Sequence, residues 1–315
     1  MIRGIIFDLG GTLVDKYSLS SVLNLRKALN YHKITLPDSL IARDIGLGLY
    51  DHISQLSYEQ SFRDEFLKNH GPKLETFNFN KFLKNNDLDF TEKLKPVYKA
   101  IEITRKKLNK EKSLISFIGA PWTLLVYMIG AKQDKNEIDL KIINKKKDEI
   151  NLILEKLINY LCLHIENQVK AGADVVQIFD SWAGSIPQKD LNNLCYSPNS
   201  KIVEFCKKKG IPVICFPKGI KDNYKDFNNL VKPDGINIDY DVDPKWASEN
   251  LKGTVIQGGL DPKILLLTDE EIHNNARKYL DAFKGLPYVF NLGHGMLPET
   301  NPDKVDKLIK FYREY

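Results

Sequence analysis

The chain of 315 residues has no apolar stretch of bilayer length, and its N-terminus lacks the basic, apolar and small-residue succession of a secretory leader. Neither a membrane span nor export is expected. Four cysteines (Cys162, Cys195, Cys206, Cys215) show no closely spaced pairs, which fits reduced thiols in a cytoplasmic protein and excludes a disulfide framework. Arginine is scarce: seven residues, at positions 3, 26, 43, 63, 105, 277 and 313, with no two closer than seventeen positions. A run of clustered guanidinium groups acting as a planar anion clamp is thereby excluded. Single-sign charge is lacking too. The net charge is +5, but the lysines of "KIINKKKDEI" and "FCKKKG" stand on helices and loops among Asp and Glu, so a solvated surface is expected, not a nucleic-acid patch. No internal repeat or low-complexity tract stands out.

What is present is a regular alternation. From Ser113 onward, apolar runs of β character recur at 113–120, 174–180, 211–216, 235–240, 253–259 and 286–293, each closed by polar, Gly or Pro residues. Such runs are expected to be parallel strands buried on both faces. Between the first two, Ile150, Ile153, Leu154, Leu157, Ile158, Leu161 and Ile165 recur at helical spacing. Further helices are expected at 88–109, 223–232, 269–284 and 301–313. Six strands with intervening helices predict an α/β fold, an incomplete (β/α)8 barrel of the TIM type.

The N-terminal part differs. "RGIIFDLGGTLVD" (3–15) is one apolar strand that ends in Asp8 and a Gly-Gly-Thr turn, followed by helical stretches at 18–33, 38–46 and 51–69. Three segments are therefore expected: a mostly helical segment over 1–69, a linker over 70–87 and the barrel over 88–315. Taken alone, Asp8 reads as a cap of the strand-exit turn.

Strand exits are where barrel chemistry is built, and here they carry distinctive residues. "FIGAPWTLLVYM" places Tyr127 on a helix after a strand, "QIFDSWAG" places Asp180, Ser181 and Trp182 at an exit, and "FNLGHGMLP" sets His294 between two glycines. Singly, Tyr127 reads as an interface aromatic, Ser181 as a helix N-cap and His294 as a loop pin.

Together, "GAPWTLLVYM", "AGADVVQIFDSWAG", "GTVIQGGLDP" and "FNLGHGMLP" closely resemble the uroporphyrinogen decarboxylase family in order and spacing, over about 71–315. The resemblance implies a cofactor-free and metal-free cytoplasmic barrel enzyme of porphyrin and haem biosynthesis, usually a homodimer. Its substrate is uroporphyrinogen, whose four acetate side chains lose their carboxylates to give coproporphyrinogen. It also implies that Tyr127, Ser181 and His294 contact that substrate. The family's Gln-Gly-Asn reads Gln-Gly-Gly here, at Gly259. Related zinc methyltransferases carry His-x-Cys at the fifth strand's exit, whereas this chain has Cys215 with Val213 two positions before it.

Two family strings do not occur: the substrate-capturing Arg-Gln-Ala-Gly-Arg-Tyr loop, and Phe-Ser-Asp, whose aspartate binds the pyrrole N–H groups. Ring protonation creates cationic character that a buried carboxylate stabilises, so little or no turnover is expected. A catalytically silent porphyrinogen-binding or interaction protein is the alternative reading. Residues 1–69 resemble the haloacid-dehalogenase superfamily, nearest phosphonoacetaldehyde hydrolase, through "GIIFDLGGTLVD" and "IGLGLYDHISQL". That resemblance implies a magnesium-dependent phosphoryl hydrolase with Asp8 as nucleophile. However, Gly10 and Leu49 stand where the superfamily places its acid or amine. Because "GIIFD" has the apolar-then-acid form of the missing barrel strand, residues 3–7 are expected to pair beside 114–118, which would place Asp8 near the site facing Tyr127, Ser181 and His294 and leave a gap where the arginine loop enters.

Overall fold

The computed structural model describes residues 4–6, 83–84, 87–128, 147–297 and 299–315. The N-terminal helical stretches, Asp8, Gly10 and Leu49 lie outside the described residues, as does most of the expected linker. The chain divides into two compact units, one of Met1–Ile6 with Thr76–Tyr315 and the other of Phe7–Glu75.

In the first unit, seven strands form one parallel sheet in chain order. They are β1 (Gly4–Ile6), β2 (Ser113–Gly119), β3 (Val175–Asp180), β4 (Val213–Pro217), β5 (Gly235–Ile238), β6 (Val255–Gly258) and β7 (Tyr288–Val289). The expected N-terminal pairing is present over Gly4–Ile6, with Gly4 opposite Ser113, Ile5 opposite Leu114 and Ile6 opposite Ile115. Among the described residues, no ladder joins β7 to β1, and the barrel stands one strand short of eight.

Eight α-helices flank the sheet among the described residues: α1 (Asp87–Lys107), α2 (Pro121–Met128), α3 (Lys147–Lys170), α4 (Ser197–Lys208), α5 (Tyr224–Val231), α6 (Pro244–Asn250), α7 (Asp269–Ala282) and α8 (Pro302–Glu314). The seven periodic residues of α3 are all buried. Helix starts follow their side-chain chemistry. Thr268 and Glu271 make a reciprocal capping box at α7, and Asn301 followed by Pro302 opens α8.

Strand alternation sorts the side chains. Val176, Ile178, Val213, Cys215 and Ile236 belong to the main hydrophobic core. Gln177, Asn237 and Gln257 face the barrel interior, where Gln257 Nε2 donates to Gln177 Oε1 at 3.0 Å and to Asn237 Oδ1 at 2.8 Å. A bond from β6 to β3 requires the sheet to curl on itself. At the strand starts, Asp174 accepts from Leu114 N–H at 2.6 Å and Asp234 from Val213 N–H at 3.0 Å. Each carboxylate pins a neighbouring strand, so both fix register at the face opposite the strand exits. No described helix is long and apolar enough to cross a membrane.

Candidate functional site

The C-terminal edge of the sheet carries two clusters. The first joins α2 to the β3 exit. Ala120 N–H continues the ladder onto Phe179 O at 2.8 Å, and the chain then turns at Pro121 into α2. Trp122, fully buried, donates its indole N–H to Trp182 O at 2.9 Å. Thr123 donates its hydroxyl to Asp180 Oδ1 at 2.8 Å and accepts the Trp182 N–H at 3.2 Å. Asn199 on α4 donates to Asp180 Oδ2 at 3.2 Å. Burial pushes the Asp180 carboxyl up to about 6, with Thr123, Cys195 and Asn199 holding it back.

Tyr127 lies one turn beyond Thr123 and is exposed (57%), with its ring edge-on to the Trp182 indole at 6.3 Å between centroids. Ser181, between the buried Asp180 and Trp182, is exposed. The expected N-cap role for Ser181 is not what the structure displays, because the short turn of 3₁₀-helix that follows is capped at Trp182 without a side-chain bond.

The second cluster gathers the β4, β5 and β7 exits. Lys218 follows β4, and its ammonium lies 3.0 Å from Nε2 of His294. Lysine has three donors and no acceptor, so Nε2 accepts and the ring proton sits on Nδ1. Burial, and then the Lys218 charge, hold the His294 imidazole below its ordinary pKa. Asp239, after β5, accepts from Gly219 N–H at 2.5 Å and from the Tyr224 hydroxyl at 2.8 Å, both at Oδ2. Burial raises its pKa, and the Gly219 N–H, the Tyr224 hydroxyl and the Lys218 charge oppose that rise.

Glycines allow these loops to close on one another. A Cβ on Gly293 would stand 2.5 Å from the Tyr240 backbone nitrogen, and one on Gly184 would stand 2.7 Å from the Gly219 carbonyl oxygen. Gly184 N–H donates to Lys218 O at 2.8 Å, which stitches the β3 loop to the β4 loop. Gly259 has φ +96°, and a Cβ there would meet the Tyr279 ring at 2.5 Å. A side chain at that position would therefore run against α7.

The structure thus pairs His294 with Lys218 and sets Tyr127 beside Trp182, next to Ser181 in the chain. Thr123, Lys218 and Asp239 were not singled out from the sequence. Lys218 and Asp239 each directly follow an apolar strand, β4 and β5, as Asp180 closes β3. Cys215 is buried on the core side of β4, with its thiol raised well above the ordinary value by desolvation. Among the described residues, no group of three or more His, Cys, Asp or Glu could hold a metal ion.

An open parallel (β/α) barrel with polar and aromatic residues gathered at its strand exits defines the class: a TIM-type barrel protein with its candidate site at the C-terminal edge. A methyltransferase from Methanosarcina mazei shares this fold, with TM-score 0.59 and 18% identity over 69% of this chain and 63% of the methyltransferase. The family pattern described as "Uroporphyrinogen decarboxylase (URO-D)" matches residues 64–315, and the chain belongs to that family. It is 37% identical to a uroporphyrinogen decarboxylase of Rickettsia bellii over 281 residues, 85% of this chain and 79% of that protein. It is 39% identical to one of Orientia tsutsugamushi (strain Ikeda) over 231 residues, 71% of this chain. The match spans 66% of the Orientia protein's length.

Proposed function

We propose that the barrel mouth binds an anionic tetrapyrrole of the uroporphyrinogen type and that this chain turns it over weakly or not at all. One observation carries the binding half: Tyr127, Ser181 and His294 all lie at the C-terminal edge of one parallel sheet, on the α2, β3 and β7 exits. Family membership supports the substrate class. Tyr127 offers an exposed aromatic ring to the pyrroles of the macrocycle, while Ser181 and the proton on Nδ1 of His294 offer donors to its carboxylates.

The catalytic half of the reading rests on charge. Each decarboxylation places a proton on a pyrrole ring and releases carbon dioxide from its acetate arm to give an exocyclic methylene, which becomes a methyl group as that carbon takes up a proton and the ring gives one up. The protonated ring is cationic and needs a carboxylate at its centre. Asp180 is unsuited to this task, being 1% exposed and enclosed by Thr123 and Asn199. Asp239 is 5% exposed and has its Oδ2 engaged by Gly219 and Tyr224.

Anaerobic incubation of the purified chain with uroporphyrinogen is expected to give no coproporphyrinogen above background. Robust turnover that is abolished by Tyr127→Phe or His294→Ala would overturn the catalytically silent reading.

A further inference from the structure

We infer that Lys218 and His294 form a carboxylate-binding subsite on the β4 and β7 side of the mouth, with Lys218 supplying the fixed positive charge. This inference rests on the anionic-tetrapyrrole reading and names the part of the mouth that meets the ligand's charge.

Three observations carry it. The first concerns the partners of Lys218. Several lysines elsewhere are neutralised by acids: Lys304 and Lys307 both reach Asp269 at 2.6 Å, and Lys310 reaches Asp306 at 2.7 Å. Lys218 instead donates to an imidazole nitrogen. The carboxylate bearing on it, Asp239, is occupied by Gly219 N–H and Tyr224. An ammonium whose one hydrogen-bonded side-chain partner among the described residues is a neutral ring retains donors and charge for an anion.

The second concerns rigidity. The Lys218 backbone is held on both sides, its N–H donating to Asp180 O at 3.1 Å and its carbonyl accepting from Gly184 at 2.8 Å. The His294 loop is seated by Gly293, whose N–H donates to Leu260 O at 2.8 Å and whose Cα lies against the Asp239–Tyr240 backbone. The two side chains therefore start from fixed points, which lowers the ordering cost of binding.

The third concerns the alternatives. No described arginine stands at this edge. Arg105 pairs with Asp174 at the strand starts, at 2.9 Å. Arg277 lies over the Phe311 ring at 5.2 Å, and Arg313 is in the last turn of α8. The neutral imidazole also suits the role. An incoming carboxylate takes the Lys218 charge and adds its own negative charge beside the ring, which favours a proton on Nε2 and a second charged donor.

Fluorescence titration of the full chain with uroporphyrin, the oxidised octacarboxylate, tests this directly. Lys218→Gln is expected to weaken binding on the order of tenfold, the usual worth of one charge-assisted bond, and to flatten the salt dependence. Lys218→Arg should keep affinity within a few-fold. Lys252→Gln, which removes the same charge just before β6, should leave it unchanged. Ring nitrogen-15 spectra, with His294 assigned through His294→Ala, should show Nε2 unprotonated in the free protein and protonated on binding.

Wild-type affinity in Lys218→Gln would overturn the subsite while leaving the tetrapyrrole reading intact. Failure of Lys218→Arg to bind, with an unchanged melting temperature, would overturn the fixed-charge role. A wild-type chain that binds no uroporphyrin would overturn both.

Discussion

The two clusters at the mouth are built on opposite principles. Around Asp180, buried groups satisfy one another: Thr123 and Asn199 close on the carboxylate, and Trp122 closes on Trp182 O. Around His294, the imidazole is exposed, and Lys218 is half-buried with that ring as its hydrogen-bonded side-chain partner among the described residues. The first arrangement fixes where α2 and the β3 exit sit, and so where Tyr127 and Ser181 are presented. The second leaves charge and donors unspent. Substitutions in the first should therefore cost stability, and substitutions in the second should cost ligand.

The largest effect should appear in the pH dependence of stability at Asp180. A carboxyl whose folded pKa lies above its unfolded one holds its proton more tightly when folded. Its contribution is fully present in acid and is lost as pH rises through about 6. Measured by urea unfolding against Asp180→Asn, the wild type should lose roughly 3 kcal/mol between about pH 4 and about pH 7. A flat difference would mean that the carboxyl is not desolvated as described. His294 has the opposite sign: its lowered pKa gives stability that is present at neutral pH and lost as pH falls below its ordinary value.

Next comes Gly293→Ala, whose methyl would meet the Tyr240 backbone rather than a movable side chain. It should cost about 2 kcal/mol and should weaken uroporphyrin binding as well, because His294 moves with the loop. Unchanged binding would separate His294 from the ligand.

Thr123→Val keeps the shape and removes the hydroxyl between Asp180 and Trp182 N–H. About 1.5 kcal/mol of stability should go with it, and Thr123→Ser should restore most of the loss. The smallest stability effect belongs to Tyr127→Phe, within about 0.5 kcal/mol because the side chain is exposed. A larger destabilisation would show that Tyr127 is part of the scaffold.

Much of this frame was legible in the sequence, for physical reasons that also mark where legibility stopped. Apolar runs bounded by Gly, Pro or polar residues placed all six strands from Ser113 onward, because parallel strands buried on both faces must be apolar throughout. The run at 286–293 shrank to Tyr288–Val289, since Phe290 leaves the ladder to stack on Tyr312 at 4.9 Å. Helix α4 was missed: of its twelve residues, "SPNSKIVEFCKK", few are apolar, and its lysines read as surface. Helix α6, at seven residues, is too short for periodicity to register.

The site divides in the same way. His294 and Ser181 were found through family motifs at strand exits, whereas the Lys218–His294 contact joins residues 76 positions apart and depends on how two loops fold back. No local pattern carries that information. Among the described residues, β1 pairs beside the strand at 113–119 as expected, because "GIIFD" repeats the form of a barrel strand.

A crystal structure of the full chain with uroporphyrin at saturating concentration tests the central claim most directly. The macrocycle should lie across the C-terminal edge of the sheet, in contact with Tyr127, Ser181 and His294, with one carboxylate on Lys218. A macrocycle bound anywhere else, or an empty mouth at saturation, would contradict it.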